Sequence, residues 1–306
     1  MKIGLIDLDT SHPETWIPEI RLLGHEVACV LDHGDVHPAG YAQKFAEEHN
    51  IPCVSTDLHS MVEQVDLAII HSCNWDRHIP LATPFLDANR AVLIDKPLAG
   101  CVKDLQQLTQ WSSKGARITG GSALRFCSEI HAWLAQPIEE RGEVSTVICG
   151  CGVDVFNYGI HAYAMLAAIL GDDAISVRHI HEGSLRHIEI QFADERYGLV
   201  MVGTTTPWLP FHCTMITDRK VAQIPIDNQK LYRSFLETTL PYLAGETTQP
   251  PLSMEQLIQP ERWALAAQMS WMQGGREVML HELNHDTPGY DGEAFCQSYR
   301  LTRYPQ

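Results

Sequence analysis

The sequence predicts an α/β protein. It reads as a doubly wound parallel sheet followed by an α+β domain on a largely antiparallel open sheet. Three observations predict this. Over the first 120 residues, short apolar runs alternate with helical segments, and parallel strands need such crossovers. After Gly121 the rhythm changes to strand-like runs joined by short polar links, the spacing of antiparallel hairpins. The length of 306 residues accommodates two domains at roughly 100–200 residues each. We place them at 1–120 and 121–306.

The elements follow in order. Lys2–Asp7 is an apolar strand. Ser11, Pro13 and Glu14 form a helix start with an S-x-x-E capping box, but Pro18 lies too deep for it. The spacing therefore predicts a helix from near Trp16, after an irregular loop. Glu26–Leu31 is the second strand, ending at Asp32. A helix over 39–49, a short strand at Pro52–Ser55 and a helix capped by Asp57 to Gln64 come next. Asp66–His71 is a buried strand, 78–89 a helix, Ala91–Ile94 a strand, Lys103–Ser113 a helix and Ala116–Thr119 a strand. Beyond the switch, the pattern predicts a helix at 128–136, a strand at Val144–Gly150 and an apolar helix at 160–170. Strands follow at Ile175–His181, Leu185–Phe192, Leu199–Gly203 and His212–Thr217. Helices at 229–243 and 253–272 close the domain, and the polar tail beyond His281 is expected to wrap the surface.

Composition narrows the function. Twenty-two Lys and Arg against 38 Asp and Glu give a net charge of −16. That balance excludes a basic surface for nucleic-acid phosphate and a polybasic membrane anchor. The longest apolar run, Ala162–Leu170, falls short of the roughly 20 residues that span a bilayer. Nine scattered cysteines with no CxxC pair read as reduced thiols, Cys149 and Cys151 sharing one strand face. With no leader-like start, the expectation is a cytoplasmic protein.

Several motifs resemble one family. Asn74 and His78 are similar to a Thr-Pro-Asn-x-x-x-His turn, with Ser72-Cys73 in place of Thr-Pro. Asp95-Lys96-Pro97-Leu98-Ala99 is similar to Glu-Lys-Pro-Leu-Ala. Leu124-Arg125-Phe126, Asn157-Tyr158-Gly159-Ile160-His161, Tyr232-Arg233-Ser234-Phe235 and Gly274-Gly275 match further segments in order. Together they resemble the glucose–fructose oxidoreductase / inositol dehydrogenase / MocA family of nicotinamide-dependent dehydrogenases, across nearly the whole chain. The resemblance implies a Rossmann-type first domain, NAD, a hydroxylated small-molecule substrate, and a homo-oligomer, dimer or tetramer. It gives the catalytic roles to Lys96 and His161, with Asn157 where the family has Asp. Asn cannot support an imidazolium by charge, so His161 should be the weaker base. Asp154 is a candidate to compensate.

The dinucleotide motif G-x-G-x-x-G is replaced: Asp7, Asp9 and His12 hold its three glycine places. An Asp lacks glycine's backbone freedom and carries the wrong charge for pyrophosphate. Free N–H groups at a helix start, with the hydroxyls of Thr10 and Ser11, still offer donors to a displaced cofactor. Asp32 matches the ribose-reading acid, which favours NAD over NADP. His71, Ser72, Asn74, His78, Asp95, Pro97 and Arg125 complete the expected cofactor contacts. Tyr158 and Tyr163 are candidate substrate contacts, with core packing the commoner role for each.

Sixteen histidines invite a metal reading. Asp7, Asp9, His12, His71 and His78 at the strand ends would suit Mn, Fe or Zn. With no H-x-x-x-H pair on a helix, we read them as the lining of a polar cleft and assign no metal. His33 and His37 should face solvent or the adenine end. Trp16, Trp75 and Trp208 are stacking candidates for which packing is the default. Two alternatives stand beside the dehydrogenase: an enzyme of the same fold without net redox turnover, and a non-catalytic ligand-binding protein. Specificity should reside in Cys149–His161 and around Thr204–Phe211.

Overall fold

The computed structural model describes residues 1–205 and 209–304. Its first part runs β1 (Lys2–Ile6), α1 (His12–Leu22), β2 (Glu26–Leu31), α2 (Tyr41–Glu48), β3 (Cys53–Val54) and α3 (Leu58–Val62). It continues β4 (Leu67–Ile70), α4 (His78–Asp87), β5 (Ala91–Asp95), α5 (Val102–Ser113) and β6 (Ile118–Gly121). All six strands pair in parallel in the order β3-β2-β1-β4-β5-β6. Helices cover both faces, so the strands are continuous apolar runs; Leu67–Ile70 and Val92–Ile94 are solvent-free. The order reverses between β1 and β4, and ligands bind outside the strand ends at such a switch point. Residues 7–12, 71–74 and 95–97 therefore share one rim.

The second part runs α6 (Ser128–Leu134), α7 (Ile138–Arg141), β7 (Val144–Gly152), α8 (Ile160–Leu170), β8 (Ala174–His181), β9 (Leu185–Phe192), β10 (Tyr197–Gly203), β11 (His212–Thr217) and β12 (Val221–Pro225). Then come α9 (Asn228–Leu243), α10 (Met254–Leu257), α11 (Gln259–Met272), β13 (Val278–Met279) and α12 (Gly292–Arg303). Its seven strands lie in the order β12-β11-β7-β10-β9-β8-β13. The apolar helix α8 packs on β7, with its residues from Ile160 to Ala167 buried. The opposite sheet face is half-exposed and mixed, carrying Ile148, Leu199, Met201 and Glu189 in one patch. Among the described residues no helix is long and apolar enough to cross a membrane.

The structure corrects several expectations. Helix α1 begins at His12, not near Trp16, and Pro18 sits inside it. The carbonyl of Glu14 thereby loses its helical donor, but Glu14 is exposed and water can serve instead. Ser11 stands at the cap without a side-chain cap bond, so the expected capping box is not made. The 128–136 helix is present as α6 and ends at Leu134, with an unexpected short α7 after Pro137, while the 253–272 helix is two, Pro260 sitting in the first turn of the second. Strands β12 and β13 were not expected. Strand β10 runs parallel to β7, so the second sheet is mixed. The tail carries α12, which docks against the first sheet's rim instead of merely wrapping the surface.

One close approach fixes β6 against β5. Gly120 has φ +152°, and a Cβ there would lie 1.9 Å from the Ile94 carbonyl oxygen. Gly120→Ala is expected to lower stability by at least about 2 kcal/mol, read as a fall in urea midpoint with unchanged m-value.

Candidate functional site

Strand β5 ends in Asp95, and the chain turns through a cis Lys96–Pro97 peptide. Lys96 Nζ donates to Asn157 Oδ1 (3.0 Å) and to the Asn157 carbonyl (3.2 Å). Asn157 lies in the β7–α8 loop, which Asp154 shapes by accepting from the N–H groups of Phe156 (2.8 Å) and Tyr158 (3.0 Å). Asp154 thus supports the site through the loop and through its charge toward Lys96. Burial lowers the Lys96 pKa, resisted by Asp95 and Asp154. His161, in the first turn of α8, pairs through Nδ1 with Ser122 Oγ at 2.7 Å. Burial, then the positive Lys96, holds His161 well below the ordinary histidine value, so it is a neutral imidazole with no carboxylate behind it.

The imidazole with a carboxylate is His12. Its Nδ1 is 2.6 Å from Asp95 Oδ2, and His71 Nδ1 reaches the same oxygen at 3.0 Å. Burial alone would raise Asp95, but His12 and His71 outweigh it and keep the carboxyl well below its usual range. An ionised carboxylate only accepts, so both Nδ1 atoms donate and both Nε2 atoms carry lone pairs when the rings are neutral. Burial lowers the pKa of His71, whose Nε2 is enclosed without a partner. His12 instead lines a cavity of about 160 Å³ with Ser11, Lys96, Tyr158, His161, Phe211, Asn228, Leu231 and Tyr232. That is small beside the roughly 300–1,000 Å³ of drug-sized ligand sites, and suits a compact polar molecule. The glycine-motif comparison marked position 12 only as a loss; its pairing with Asp95, 83 residues away, had no local signal. Glu261 was missed for the same reason. It lies on α11 and its Oε1 accepts from Leu98 N at 2.9 Å, holding the turn after Lys96.

A second cavity, about 610 Å³, opens beside Asp32, His33, Tyr41 and Ser55 at the end of β2. Asp32 accepts from Leu8 N and is raised by burial, then by Asp7. This acid and cavity fit the adenosine end of a dinucleotide, and Lys96 with His12 fits the other end. The acidic loop between them is folded inward. Asp7 takes the left-handed conformation (φ 60°) that the first motif glycine ordinarily supplies, and accepts from His33 N and Nδ1 (3.1 and 2.6 Å). Asp9 is solvent-free and accepts from Cys73 N at 2.8 Å. Burial and the neighbouring Asp7 push its pKa up to about 7, so near neutrality its charge is partly lost. The two carboxylates are thus withdrawn from the groove. Its middle is covered by α12, where Cys296 meets Cys73 and Asp9.

The remaining candidates separate by environment. Ser72 and Asn74 sit at the rim, and the Asn74 amide donates to Glu293 of α12. Thr10 and Ser11 stand at the α1 start, where Thr10 Oγ1 accepts from His12 N. Pro97 is buried beside Lys96. His78 is fully buried between the carbonyls of Ser72 and Leu98, a bracing role away from either cavity. Arg125 pairs with Asp172 and lines a separate 410 Å³ cavity with Phe126, His131 and Ser234. Tyr163 lies in the core with its hydroxyl enclosed, while Tyr158 reaches the cavity beside Lys96. Trp16 packs on His71 and His12, Trp75 on Phe156 and Phe295, and Trp208 lies outside the described residues. His37 donates to the Leu8 carbonyl. Asp7, Asp9, His12, His71 and His78 do not converge, each being held by the partner given above. Among the described residues, two other groups of ligand-type atoms do cluster within 4.8 Å: His12, His71 and Asp95, and Asp9, Cys73 and Cys296.

Comparison with known proteins bears on this site. The model of the oxidoreductase family GFO_IDH_MocA, with its NAD-binding Rossmann fold, matches residues 12–119. The full chain superposes on a myo-inositol dehydrogenase of Lactobacillus casei in complex with NAD(H) and myo-inositol. The TM-score is 0.77 at 15% identity, covering 91% of this chain and 96% of that one. An Agrobacterium radiobacter oxidoreductase in complex with NAD+, L-tartaric acid and magnesium gives 0.75 at 14%, covering 92% and 99%. At such identity the likeness shows the fold alone. A protein assigned as the UDP-kanosamine synthase oxidoreductase subunit of Amycolatopsis mediterranei (strain S699) is 25% identical over 150 residues, 49% of this chain. The match spans only 40% of that protein's length. Here the nucleotide fold precedes a sheet domain that completes the cavity.

The raised pKa of Asp9 has a stability consequence. The folded state holds a proton on Asp9 that the unfolded chain, with its carboxyl near 3.8, releases, so this contribution is present at low pH and is lost as pH rises toward about 7. Asp9→Asn should flatten that dependence, raising stability at pH 7.5 by roughly 1–3 kcal/mol with little gain at pH 4. Urea unfolding at the two pH values reads the difference.

Proposed function

We propose that the chain is an NAD-dependent oxidoreductase acting on a sugar, a cyclitol or a similar hydroxylated small molecule. The observation that carries this is the meeting of Lys96, His12 and His161 in one small cavity at the switch point. NAD would be held by Asp32 at its ribose, by Thr10 and Ser11 at the α1 start, and by Ser72, Asn74, Asp95 and Pro97 toward Lys96. When bound, it exchanges a hydride with the substrate carbon.

The chain's own residues then manage the substrate oxygen. Lys96, anchored on Asn157, directs its remaining N–H at that oxygen and favours the negative charge that develops there. His12, its tautomer fixed by Asp95, presents Nε2 to take the hydroxyl proton in oxidation and return it in reduction. His161, set by Ser122, positions the same hydroxyl by hydrogen bonding. Tyr158 and the residues about Thr204–Phe211 shape specificity. The half-exposed sheet face with Leu199 and Met201 supports a homo-oligomer. Nine free cysteines support a reducing, cytoplasmic setting.

A second reading, an enzyme of this fold without net redox turnover, is favoured by the replaced glycines after β1 and by Asn157. Cofactor released on denaturing the purified protein, together with no turnover of added NAD, would select it.

Screening sugars and cyclitols with NAD and NADP should reveal turnover with NAD preferred; no binding of either at millimolar levels by calorimetry, also once α12 no longer covers the groove, refutes the proposal. With the substrate so found, Lys96→Ala should reduce kcat by about 10²–10⁴-fold with an unchanged melting curve. His12→Asn should cost more in kcat than His161→Asn. The opposite ranking would return the proton-transfer role to His161.

A further inference from the structure

The groove between the two cavities is not empty surface. The chain is anchored on the first sheet's rim as far as Tyr290, whose N–H donates to Gly100 O (2.9 Å) and whose carbonyl accepts from Trp75 Nε1 (2.7 Å). Beyond it, from Gly292, α12 crosses the rim. Its Glu293 accepts from the Asn74 amide (2.7 Å). Cys296 fills the gap over Cys73 and Asp9, with Tyr299 packed beside Val36. Arg300 reaches the Asp35 carbonyl and lines the Asp32 cavity, and the Tyr304 hydroxyl donates to His37 Nδ1 at 2.7 Å. The helix therefore lies along the track from Asp32 to Asn74, which a dinucleotide extended between the two cavities must follow.

From this we propose that α12 is a built-in occupant of the dinucleotide groove, so that helix and NAD bind it in mutually exclusive fashion. The proposal rests on the reading of this groove as an NAD site. Two features fit a displaceable occupant. First, the docking is light. Only Gly292 and Cys296 of α12 are buried, and most of its other residues are exposed. Local opening of such a segment costs far less than global unfolding. Secondly, charge complements the groove: Arg300 and Arg303 close the helix on a rim that carries Asp32 and Asp35. The helix start is itself anchored, the N–H groups of Gly292 and Glu293 donating to Asp76 Oδ2 (2.9 and 3.3 Å), so release runs from the C-terminal turns toward that end. NAD affinity would then be reduced by the fraction of molecules in which the groove is open.

The test uses the intact chain. Hydrogen exchange of residues 292–303 is followed as NAD is added, and NAD binding is measured by calorimetry for wild type and for Cys296→Asp, which sets a charge against Asp9 to release the helix. A paired Glu293→Ala, Arg300→Ala variant removes surface contacts only and serves if Cys296→Asp fails to fold. The expected result is faster exchange of α12 at saturating NAD and at least tenfold tighter binding by the released variant. Saturation of wild type with α12 still protected overturns the proposal and leaves the NAD site standing. Equal affinity of wild type and a variant whose α12 exchanges freely does the same. If neither wild type nor a helix-released variant binds NAD, both the proposal and the NAD reading fall.

Discussion

The rim of the first sheet is organised by a single buried carboxylate. Asp95 Oδ2 takes hydrogen bonds from His12 and His71, while Oδ1 accepts from the Lys96 N–H at 2.7 Å. One side chain thus ties the start of α1, the end of β4 and the Lys96 turn. A buried charge is tolerated only when its lone pairs are satisfied, and here three donors satisfy them. The consequence is chemical as well as structural. The same bonds fix the tautomer of His12, a ring that lines the cavity.

The site is then closed from the far side of the chain. Glu261 on α11 grips the turn at Leu98, Asn157 holds Lys96 Nζ, and Ser122 sets His161. The first two contacts span the two halves, so neither sheet has a finished cavity alone. The departure at position 157 from the motif this segment resembles becomes intelligible in this light. The imidazole at 161 loses its carboxylate, and another imidazole gains one from the opposite wall. The acidic loop after β1 is reconciled similarly. Asp7 and Asp9 turn inward onto His33 and the Cys73 N–H, so the charges read from the chain do not face the groove.

Much of the fold was legible because its signals are local. Strands such as Glu26–Leu31 and Leu185–Phe192 and the apolar helix at 160–170 show as uninterrupted runs, and the β–α alternation fixes a parallel sheet. What failed locally also failed for local reasons. Pro18 was read as a helix breaker, but the carbonyl it orphans faces water. Short β12 and β13 carry too few residues for a period to show.

The sequence by itself determined the two-part plan, the switch-point location of Lys96 and the replacement of the motif glycines, since these depend on chain-neighbour patterns and motif spacing. Tertiary structure alone decided which histidine stands on a carboxylate, where the acidic side chains point and what covers the groove. Those outcomes join residues 83, 61 and more than 200 positions apart, as in His12 with Asp95, Lys96 with Asn157, and Asn74 with Glu293. Hydrogen bonds and burial act through space, and no periodicity along the chain records them.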